Sequence, residues 1–479
     1  MSVNRKQAFT NFLWKLGEQS GAQIVSFLVS VILARLLVPE DYSAVGVVLI
    51  LTSFCAVFID GGLAKALIQK KDPDMLDYST VLVTGLTIAS AIYLTLFFSA
   101  PVIAQIYEDS LLTAVVRVYS LKLFVGAFNT VQCAYISKKL QFKKYFFATI
   151  IGTVISAGIG LWMAYDGFGV WALVAQQMTN LFVDTVVLYI TTKFRPQLRF
   201  SMAKLKSLWA YGSKVLGTSL LDMTYDNIRP LIVGLKFTPV DLAYYEKGRN
   251  YPGILNSTIN STLASVLFPV IASVQEDMVA VKTITQKYIR ISSFVVFPML
   301  LGLAAISENL VRWMLTDKWM GIVPYMQIFC VNHMFQLLQT GNLQAINAIG
   351  RSDLVFKIAV VKKLISFGLL VLTVIVAPSP YWLALLGIVT SLIAFMINSL
   401  TNKRTLNYGL KEQALDILPN LIASIAMMLI VMYIGTLKFG GLVAQILIGG
   451  LTYLLIALIT QNASLRYCWE TFLSLIRHC

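Results

Sequence analysis

Apolar segments long enough to cross a bilayer recur about fourteen times along this chain, separated by short polar loops. A spanning helix needs ~20 predominantly apolar residues. Inside the hydrocarbon core the chain must satisfy its own backbone hydrogen bonds, which leaves only helices and closed barrels. The composition agrees, because 57% of the residues are hydrophobic and only 13% are charged. We therefore predict an all-α polytopic membrane protein with little chain left for a soluble domain.

The segments are too long and too apolar for barrel strands, so each one is predicted to be a transmembrane helix. The predicted spans are 11–37, 42–67, 79–106, 112–137, 145–164, 168–192, 206–235, 242–272, 282–306, 320–347, 355–377, 381–402, 414–436 and 440–460.

Lysine and arginine concentrate in every second loop. Basic loops lie around Lys70, Lys138, Arg195 and Arg351, whereas intervening loops carry acids such as Glu40. Cytoplasmic loops of membrane proteins carry an excess of Lys and Arg. The alternation predicts an even number of spans with both termini cytoplasmic. It also accounts for the formal net charge of +15, so we predict no nucleic-acid partner.

The chain lacks the short motifs that mark enzymes and metal sites. The five cysteines are isolated, with no CxxC pair, and there are only two histidines. We therefore predict neither a disulfide framework nor a metal site. No Gly-rich phosphate loop, HExxH or GxSxG motif is present in the sequence. We expect no catalytic residues, no enzymatic activity and no cofactor.

Short motifs recur about 200 residues apart. Trp14–Gly17 is matched by Trp209–Gly212, and Pro39–Asp41 is matched by Pro239–Asp241. Proline suits the first turn of a helix, and an acid there complements the helix dipole. Both Pro-x-Asp segments are therefore predicted to open a helix. Many transporters are built from such repeats, with the substrate site at the repeat interface.

The repeat predicts two pseudo-symmetric lobes of six helices each plus an extra helix pair. The predicted parts are an N-lobe at 1–192, a cytoplasmic linker at 193–205, a C-lobe at 206–402, helices 13 and 14 at 403–460 and a C-terminal tail at 461–479. Trp469 and Arg477 would anchor the tail in the membrane interface. The alternative for this segment is a frayed tail.

Polar residues interrupt the first predicted span. Lys15 and Glu18 are three residues apart and can pair on one helix face, and Gln23 lies further along. Because of these charges the segment is predicted to be a span and not a cleavable signal peptide. For Lys15, a position at the lipid headgroups is the alternative to a cavity. For Glu18 and Gln23, we favour a water-filled cavity.

The seventh predicted span carries charges on a single stripe. Asp222, Tyr225, Asp226 and Arg229 follow helical spacing, and Pro230 removes a backbone hydrogen bond beside them. One hypothesis is a structural ion pair between Asp226 and Arg229. The other is an ion-coupling site, because two carboxylates one turn apart repel and favour proton uptake by one of them.

The eighth predicted span carries Lys247 and Arg249 beside Tyr244 and Asn250. Both cations are predicted to be uncompensated. Arginine offers a bidentate fork and lysine a point charge, which suits a phosphate, and the aromatic neighbours suit a sugar. The alternative is a cluster that snorkels to the interface on the outer face of the helix. Asp60 and Asp184 are further acids within spans, and Lys122 is predicted to pair with one of them.

Two short motifs stand out near the first predicted spans. Leu33–Tyr42 reads LARLLVPEDY and Asp60–Asp72 reads DGGLAKALIQKKD. Both resemble signatures of Wzx-type polysaccharide flippases. Leu140–Lys144 and Leu267–Pro269 match further segments. The resemblance is greatest to the colanic-acid exporter branch of the multidrug/oligosaccharidyl-lipid/polysaccharide superfamily. The chain departs from the family pattern at Tyr42–Ser43, where Phe-Gly is expected.

This resemblance implies a fourteen-helix fold in the bacterial inner membrane that works by alternating access. It implies export of an undecaprenyl-pyrophosphate-linked oligosaccharide from the cytoplasmic to the periplasmic leaflet. A polysaccharide polymerase and export machinery would then use the product for capsule, exopolysaccharide or O-antigen. The implied partners are thus the lipid-linked oligosaccharide, the membrane lipids and those assembly proteins.

From the residues and the resemblance together we predict a cationic cavity with three sets of side chains. The pyrophosphate would be held by Lys15, Arg229, Lys247 and Arg249. The sugars would contact Gln23, Tyr225, Tyr244 and Asn250. The candidates for coupling to a proton or Na⁺ are Glu18, Asp222, Asp226 and Asp60.

Three other functions compete with this hypothesis. A cation-coupled multidrug exporter of the same fold would favour an acidic, aromatic cavity. A glycosyltransferase or polymerase would need a large extracytoplasmic loop, and no loop here is long enough. A non-transporting scaffold would have no use for charges inside its spans, because an ionisable residue at the bilayer centre costs ~2.5–3.5 kcal/mol on insertion scales.

Overall fold

The structure is a computed structural model, and it describes residues 21–23, 25–60, 62–139, 141–192, 194–436, 441–462 and 464–466. The described residues are helical, with no β-strand among them. The helices are α1 (described within Gly21–Leu36), α2 (Pro39–Asp60), α3 (Leu63–Gln69), α4 (Met75–Ile106), α5 (Leu111–Tyr119), α6 (Lys122–Lys139), α7 (Phe142–Tyr165), α8 (Val170–Thr192), α9 (Met202–Lys236), α10 (Pro239–Ala272), α11 (Met278–Leu315), α12 (Ile322–Ala348), α13 (Ser352–Val376), α14 (Pro380–Leu406), α15 (Leu410–Thr436) and α16 (Gly441–Ile459).

The predicted all-α fold is confirmed, and each of the fourteen predicted spans overlaps one helix or one pair of consecutive helices. Two of the spans are interrupted. The second span consists of α2 and α3, and the fourth consists of α5 and α6. At the first interruption Gly62 has φ 151°, a conformation that L residues rarely adopt. A Cβ on Gly62 would lie 2.0 Å from the carbonyl oxygen of Gly212, so α9 packs directly on this break.

Ten stretches of the described chain are long and apolar enough to cross a membrane. Three long helices, α9, α10 and α12, are not among them, because charged and amide side chains interrupt their apolar surface. A polar side chain in a span is tolerated where it faces protein or water rather than lipid. The polar side chains of α9, α10 and α12 are therefore expected to face protein or water.

Both Pro-x-Asp segments open a helix, as the repeat predicted. Pro39 begins α2, and the Asp41 carboxylate accepts a hydrogen bond from the backbone N–H of Val38 at 3.2 Å. Pro239 begins α10, and the Asp241 carboxylate accepts from the backbone N–H and the hydroxyl of Thr238. Equivalent residues of the two segments thus cap two helices in the same way. In each case the acid accepts a hydrogen bond from a backbone N–H at the helix start that would otherwise be unpaired.

The chain divides into two compact units at the junction of Ala243 and Tyr244. In unit 1, α9 packs against α2, α3 and α4. A buried core joins these helices to the segment after α8, with Leu67, Tyr78, Phe194 and Leu208 among its members. The boundary of this compact unit lies later in the chain than the predicted linker at 193–205. The predicted lobes rest on internal repetition and not on compactness, so they stay a prediction.

In unit 2, α11 runs through the centre and packs along α12 and α15. A fully buried amide network ties α12, α14 and α15 together. The Asn342 side-chain amide donates to Gln413 Oε1 at 2.9 Å, and Gln413 Nε2 returns a bond to Asn342 Oδ1 at 3.0 Å. Asn402 also donates to Asn342 Oδ1. The last helices of the chain, predicted as an extra pair, are therefore part of the core of unit 2.

Candidate functional site

Some predicted site residues lie outside the described residues. These are Lys15 and Glu18 on the first span, together with Trp469 and Arg477 in the tail. Gln23 falls within α1 and is half-buried. The roles assigned to these residues stay predictions.

The charged stripe of α9 lies on one uninterrupted helix. α9 continues through Pro230, which is buried, to Lys236. Asp222 and Asp226 are exposed, and the Arg229 guanidinium lies 5.7 Å from the centre of the Tyr225 ring. A cation at this distance from an aromatic face is attracted to it. The structure thus brings Tyr225 and Arg229 together. The ion pair of Asp226 with Arg229 and the coupling role of the two acids stay predictions.

Lys247 is buried inside unit 2. Its side chain is only 9% exposed, and its Nζ lies 5.9 Å from the centre of the Trp319 ring. The Tyr244 ring meets Trp319 edge-on, and the Tyr244 hydroxyl donates to the Lys318 carbonyl oxygen at 3.1 Å. A lysine that snorkels to the outer face of its helix would be exposed. The snorkelling alternative is therefore not supported for Lys247.

A close approach of two helices produces this burial. A Cβ on Gly248 would lie 2.5 Å from the Cβ of Tyr325, so only glycine lets α10 come this near to α12. The neighbouring Tyr245 packs edge-on against Tyr325 and Phe329. Because the helices are in contact here, Lys247 is surrounded by protein rather than by lipid.

Arg249 has an acidic neighbour that the sequence analysis missed. Arg249 Nη1 lies 3.7 Å from Glu246 Oε1, and the two side chains are 34% and 39% exposed. The interpretation of two uncompensated cations is therefore wrong for Arg249. The spacing of three residues was the available signal, since side chains three apart on a helix are neighbours. Asn250, predicted to contact a sugar, is exposed at the next position.

Unit 1 contains a cavity of about 200 Å³, which was not predicted from the sequence. Asp60 and Lys122 both line it, with Asn129 and Thr130 between them on α6. Asp60 accepts a hydrogen bond from the Thr130 hydroxyl at 2.6 Å, and Lys122 donates to the Tyr119 hydroxyl at 2.9 Å. Each of these two charged side chains is thus hydrogen-bonded to a neutral hydroxyl group.

The predicted pairing of Lys122 with Asp60 or Asp184 is wrong. Lys122 makes its hydrogen bond to Tyr119, and Asp60 makes its own to Thr130. Asp184 lies elsewhere, against α7, where a Cβ on Gly152 would be 2.0 Å from the Asp184 carboxylate. The spacing of residues along the chain could not identify the partner of Lys122, because Asp60, Lys122 and Asp184 lie on three different helices.

An ion-pair network joins the α3–α4 loop of unit 1 to the start of α9. Lys204 Nζ lies 2.6 Å from Asp74 and 3.7 Å from Asp77, and Lys70 lies 2.7 Å from Asp77. The hydrogen bond from Lys204 is the main cause that lowers the pKa of Asp74 to about 2. Lys138 also donates to the carbonyl oxygens of Ile68 and Lys70. The basic loops of unit 1 are thus tied to each other.

A family model described as "Polysaccharide biosynthesis protein" matches residues 32–324, which is more than half of the chain. The chain belongs to this polysaccharide biosynthesis family. The succinoglycan biosynthesis transport protein ExoT of Rhizobium meliloti is 23% identical over 482 residues, 97% of this chain and 95% of that protein. The lipopolysaccharide biosynthesis protein WzxC of Escherichia coli is 23% identical over 337 residues, 69% of this chain and 68% of that protein. The predicted resemblance to polysaccharide exporters is confirmed.

Solved structures of the same fold support the architecture. The lipid II flippase MurJ in its inward closed conformation aligns with a TM-score of 0.75 at 14% identity, covering 94% of this chain and 98% of that one. An inward-facing multidrug resistance MATE family transporter of the MOP superfamily aligns with a TM-score of 0.60 at 14% identity, covering 80% and 94%. At these identities the likeness establishes the fold alone. This member of the polysaccharide biosynthesis family is a multi-span membrane protein.

Proposed function

We propose that the protein is a flippase that moves an undecaprenyl-pyrophosphate-linked oligosaccharide from the cytoplasmic to the periplasmic leaflet of the bacterial inner membrane. Both termini would be cytoplasmic, as the basic loops indicate. The membership in the polysaccharide biosynthesis family supports the proposal. So does the similarity to relatives whose names place them in succinoglycan transport and lipopolysaccharide biosynthesis. The proposal assigns no covalent chemistry to the chain.

The observation that carries the proposal is the burial of Lys247 in α10, the eighth predicted span, two residues from Arg249. Placing a cation in a span costs ~2.5–3.5 kcal/mol on insertion scales, so such residues are usually functional. A pyrophosphate offsets this cost, because hydrogen bonds between ionised groups are roughly twice as strong as neutral ones. Until the substrate arrives, the Glu246 carboxylate would occupy Arg249 and compete with the pyrophosphate for it.

The proposed contacts extend along the polar helices. Lys247, Arg249, Arg229 and Lys15 would bind the pyrophosphate, and Tyr244, Asn250, Tyr225 and Gln23 would contact the sugars. The candidates for proton or Na⁺ coupling remain Glu18, Asp60, Asp222 and Asp226. A polymerase and export machinery in the periplasm would then take the flipped unit.

A cation-coupled multidrug exporter is the second candidate. The exposed carboxylates of Asp222 and Asp226 on α9 favour it, because an acidic surface attracts cationic drugs. The same fold occurs in a multidrug resistance transporter. The buried Lys247 argues against it, since a cation would repel such a substrate.

Analysis of lipid-linked intermediates in a strain lacking the protein tests the proposal. We expect undecaprenyl-pyrophosphate oligosaccharide to accumulate and surface glycan to be lost, and mass spectrometry of the intermediate would identify the repeat unit. Expression of the wild-type chain should reverse both changes. Intact surface glycan and normal intermediates, together with altered drug sensitivity, would favour the multidrug exporter instead.

A further inference from the structure

A buried histidine lies beside the proposed pyrophosphate site in unit 2. His333 on α12 is 8% exposed and shares a polar cluster with Asn256 of α10 and Gln336 of α12. A Cβ on Gly253 would lie 3.8 Å from His333 Nε2, so this nitrogen faces α10. Gly253 is four residues after Arg249, which places Arg249 about one turn away on the same helix face.

The hydrogen bonds of this cluster indicate which ring nitrogen carries a proton. His333 Nδ1 lies 2.9 Å from Gln336 Oε1, an acceptor, and 3.4 Å from Asn256 Nδ2, a donor. Asn256 Nδ2 already donates to Gln336 Oε1 at 2.8 Å. The shorter contact requires a proton on Nδ1. In a neutral imidazole the other nitrogen is then an unprotonated acceptor.

The cluster has more acceptors than donors. His333 Nε2 and Asn256 Oδ1 are both buried and have no hydrogen-bond partner among the described residues. A buried acceptor without a hydrogen-bond partner destabilises the folded state. A proton on Nε2 changes this nitrogen from an unsatisfied acceptor into a donor.

The charged groups around His333 make its charge depend on Arg249. Among the described residues of α10, Arg249 is within electrostatic reach of His333, and Arg249 is paired with Glu246. α11 places Tyr288 against α12, beside Gly341. α14 places Tyr381 against α12, where it stacks on Tyr325. These tyrosines are two or more turns away from His333 along α12 and are neutral near pH 7.

This inference rests on the proposed function. We propose that His333 is a proton-binding site, and that proton binding there is coupled to binding of the substrate pyrophosphate at Arg249. An anion at Arg249 removes the repulsion that opposes a second positive charge on the imidazole. By linkage, a proton on His333 strengthens anion binding by the same factor. Release of the pyrophosphate at the other leaflet would then release the proton.

Histidine-selective ¹⁵N NMR of the purified full-length protein in nanodiscs tests the proton site directly. The chain has two histidines, so His478→Gln leaves His333 as a single reporter. Between about pH 8 and about pH 5 we expect the Nε2 signal to change from an unprotonated to a protonated nitrogen. We expect this change to occur at higher pH when undecaprenyl pyrophosphate is present. An unchanged Nε2 signal over this range would overturn the proposal, and would indicate a buried histidine satisfied by water alone.

Binding of undecaprenyl pyrophosphate tests the coupling. We expect the wild-type chain to bind it at least about fivefold more tightly at pH 5.5 than at pH 7.5, within the usual range of coupling between sites. In His333→Gln, the ratio of the affinities at pH 5.5 and pH 7.5 should fall to the value set by ionisation of the ligand itself. The control variant His478→Gln should keep the wild-type ratio. Equal ratios in the wild type and His333→Gln would overturn the coupling.

The two proposals fail in different ways. If deletion of the protein leaves surface glycan and its intermediates unchanged, the proposed function fails whatever His333 does. If the wild-type chain restores export but His333→Gln shows the same pH dependence of binding, only the proton coupling fails. Should His333→Gln not fold, His333→Asn provides a second neutral variant that keeps one amide in the cluster.

Discussion

Unit 1 and unit 2 place their charges in different surroundings. In unit 1, Asp60 and Lys122 line a cavity and are held by hydroxyl groups, while Lys204 pairs with Asp74 near the surface. In unit 2, Lys247 is buried against Trp319. A cation in surroundings of low polarity attracts an incoming anion more strongly than one near water, because the Coulomb interaction is less screened there. The burial of Lys247 therefore favours anion recognition in unit 2. The hydroxyl contacts of Asp60 and Lys122 in unit 1 are expected to rearrange more easily.

Two amide clusters, one in each unit, differ in the lengths of their hydrogen bonds. In unit 2, Asn342 and Gln413 exchange hydrogen bonds of 2.9 and 3.0 Å at positions with no exposure. In unit 1, the Asn180 amide reaches Thr153 and Ser156 at 3.5 and 3.3 Å. Longer hydrogen bonds are weaker. The Asn342 cluster is therefore expected to contribute more to stability than the Asn180 cluster.

The largest effect is expected from removing the cations of unit 2. The double variant Lys247→Ala/Arg249→Ala should abolish restoration of surface glycan in the deletion strain while leaving protein expression intact. A hydrogen bond to a charged group contributes ~1.5–3 kcal/mol, so two such losses weaken pyrophosphate binding by at least about a hundredfold. Glycan staining and a membrane immunoblot measure both properties.

The matched control is Lys122→Ala, which removes a cation from unit 1. Since Lys122 is held by Tyr119 in its own cavity, we expect this variant to retain most export. Full export by the unit 2 double variant, or equal losses in the two variants, would contradict the assignment of anion recognition to unit 2.

The next largest effect concerns stability. Asn342→Leu removes three buried hydrogen bonds, two shared with Gln413 and one from Asn402. A hydrogen bond contributes ~0.5–1.5 kcal/mol, so we expect a loss of about 3 kcal/mol and a clearly lower Tm of the purified protein. The comparable change in unit 1, Asn180→Leu, should lower the Tm less, because its hydrogen bonds are long. A larger drop for Asn180→Leu would reverse the comparison.

A smaller gain of function is expected at Glu246. Glu246→Gln removes the negative charge beside Arg249 and leaves the guanidinium available to an anion. Partly exposed ion pairs contribute ~0.2–1 kcal/mol, so undecaprenyl pyrophosphate should bind up to about fivefold more tightly. The same change at Glu308, which pairs with the exposed Arg312, should leave the affinity unaltered. Weaker binding by Glu246→Gln would indicate that the pair positions Arg249 rather than competing with the substrate.

The smallest effect is expected in the ion pairs of unit 1. The pKa of Asp74 is lowered to about 2, chiefly by its hydrogen bond from Lys204. The carboxylate thus stabilises the folded state above its unfolded pKa of about 3.9, and the contribution is lost as pH falls toward 2. Lys204→Met should lower the Tm slightly at pH 7 in low salt and not at all in high salt, because salt screens exposed charges. An equal drop at both salt concentrations would show that the lysine acts through packing instead.

The number and approximate bounds of the spans were predictable from the sequence alone. Hydrophobicity adds up along a segment, so a window of the chain contains the information that decides whether it enters the bilayer. The helix starts at Pro39 and Pro239 were predictable for a similar reason, since a cap depends on residues within one turn. The motifs in Leu33–Tyr42 and Asp60–Asp72 were sufficient to indicate the family.

The sequence did not decide which charges meet. The partner of Lys122 is the hydroxyl of Tyr119 and not one of the predicted acids. Glu246 beside Arg249 was missed, although the two residues have the spacing of neighbours on a helix. The burial of Lys247 and the cluster around His333 depend on how α10 and α12 rotate and approach at Gly248. Helical spacing determines which residues share a face, but the rotation of each helix is set by packing against its neighbours. Only the tertiary structure therefore decided which side chains form the sites.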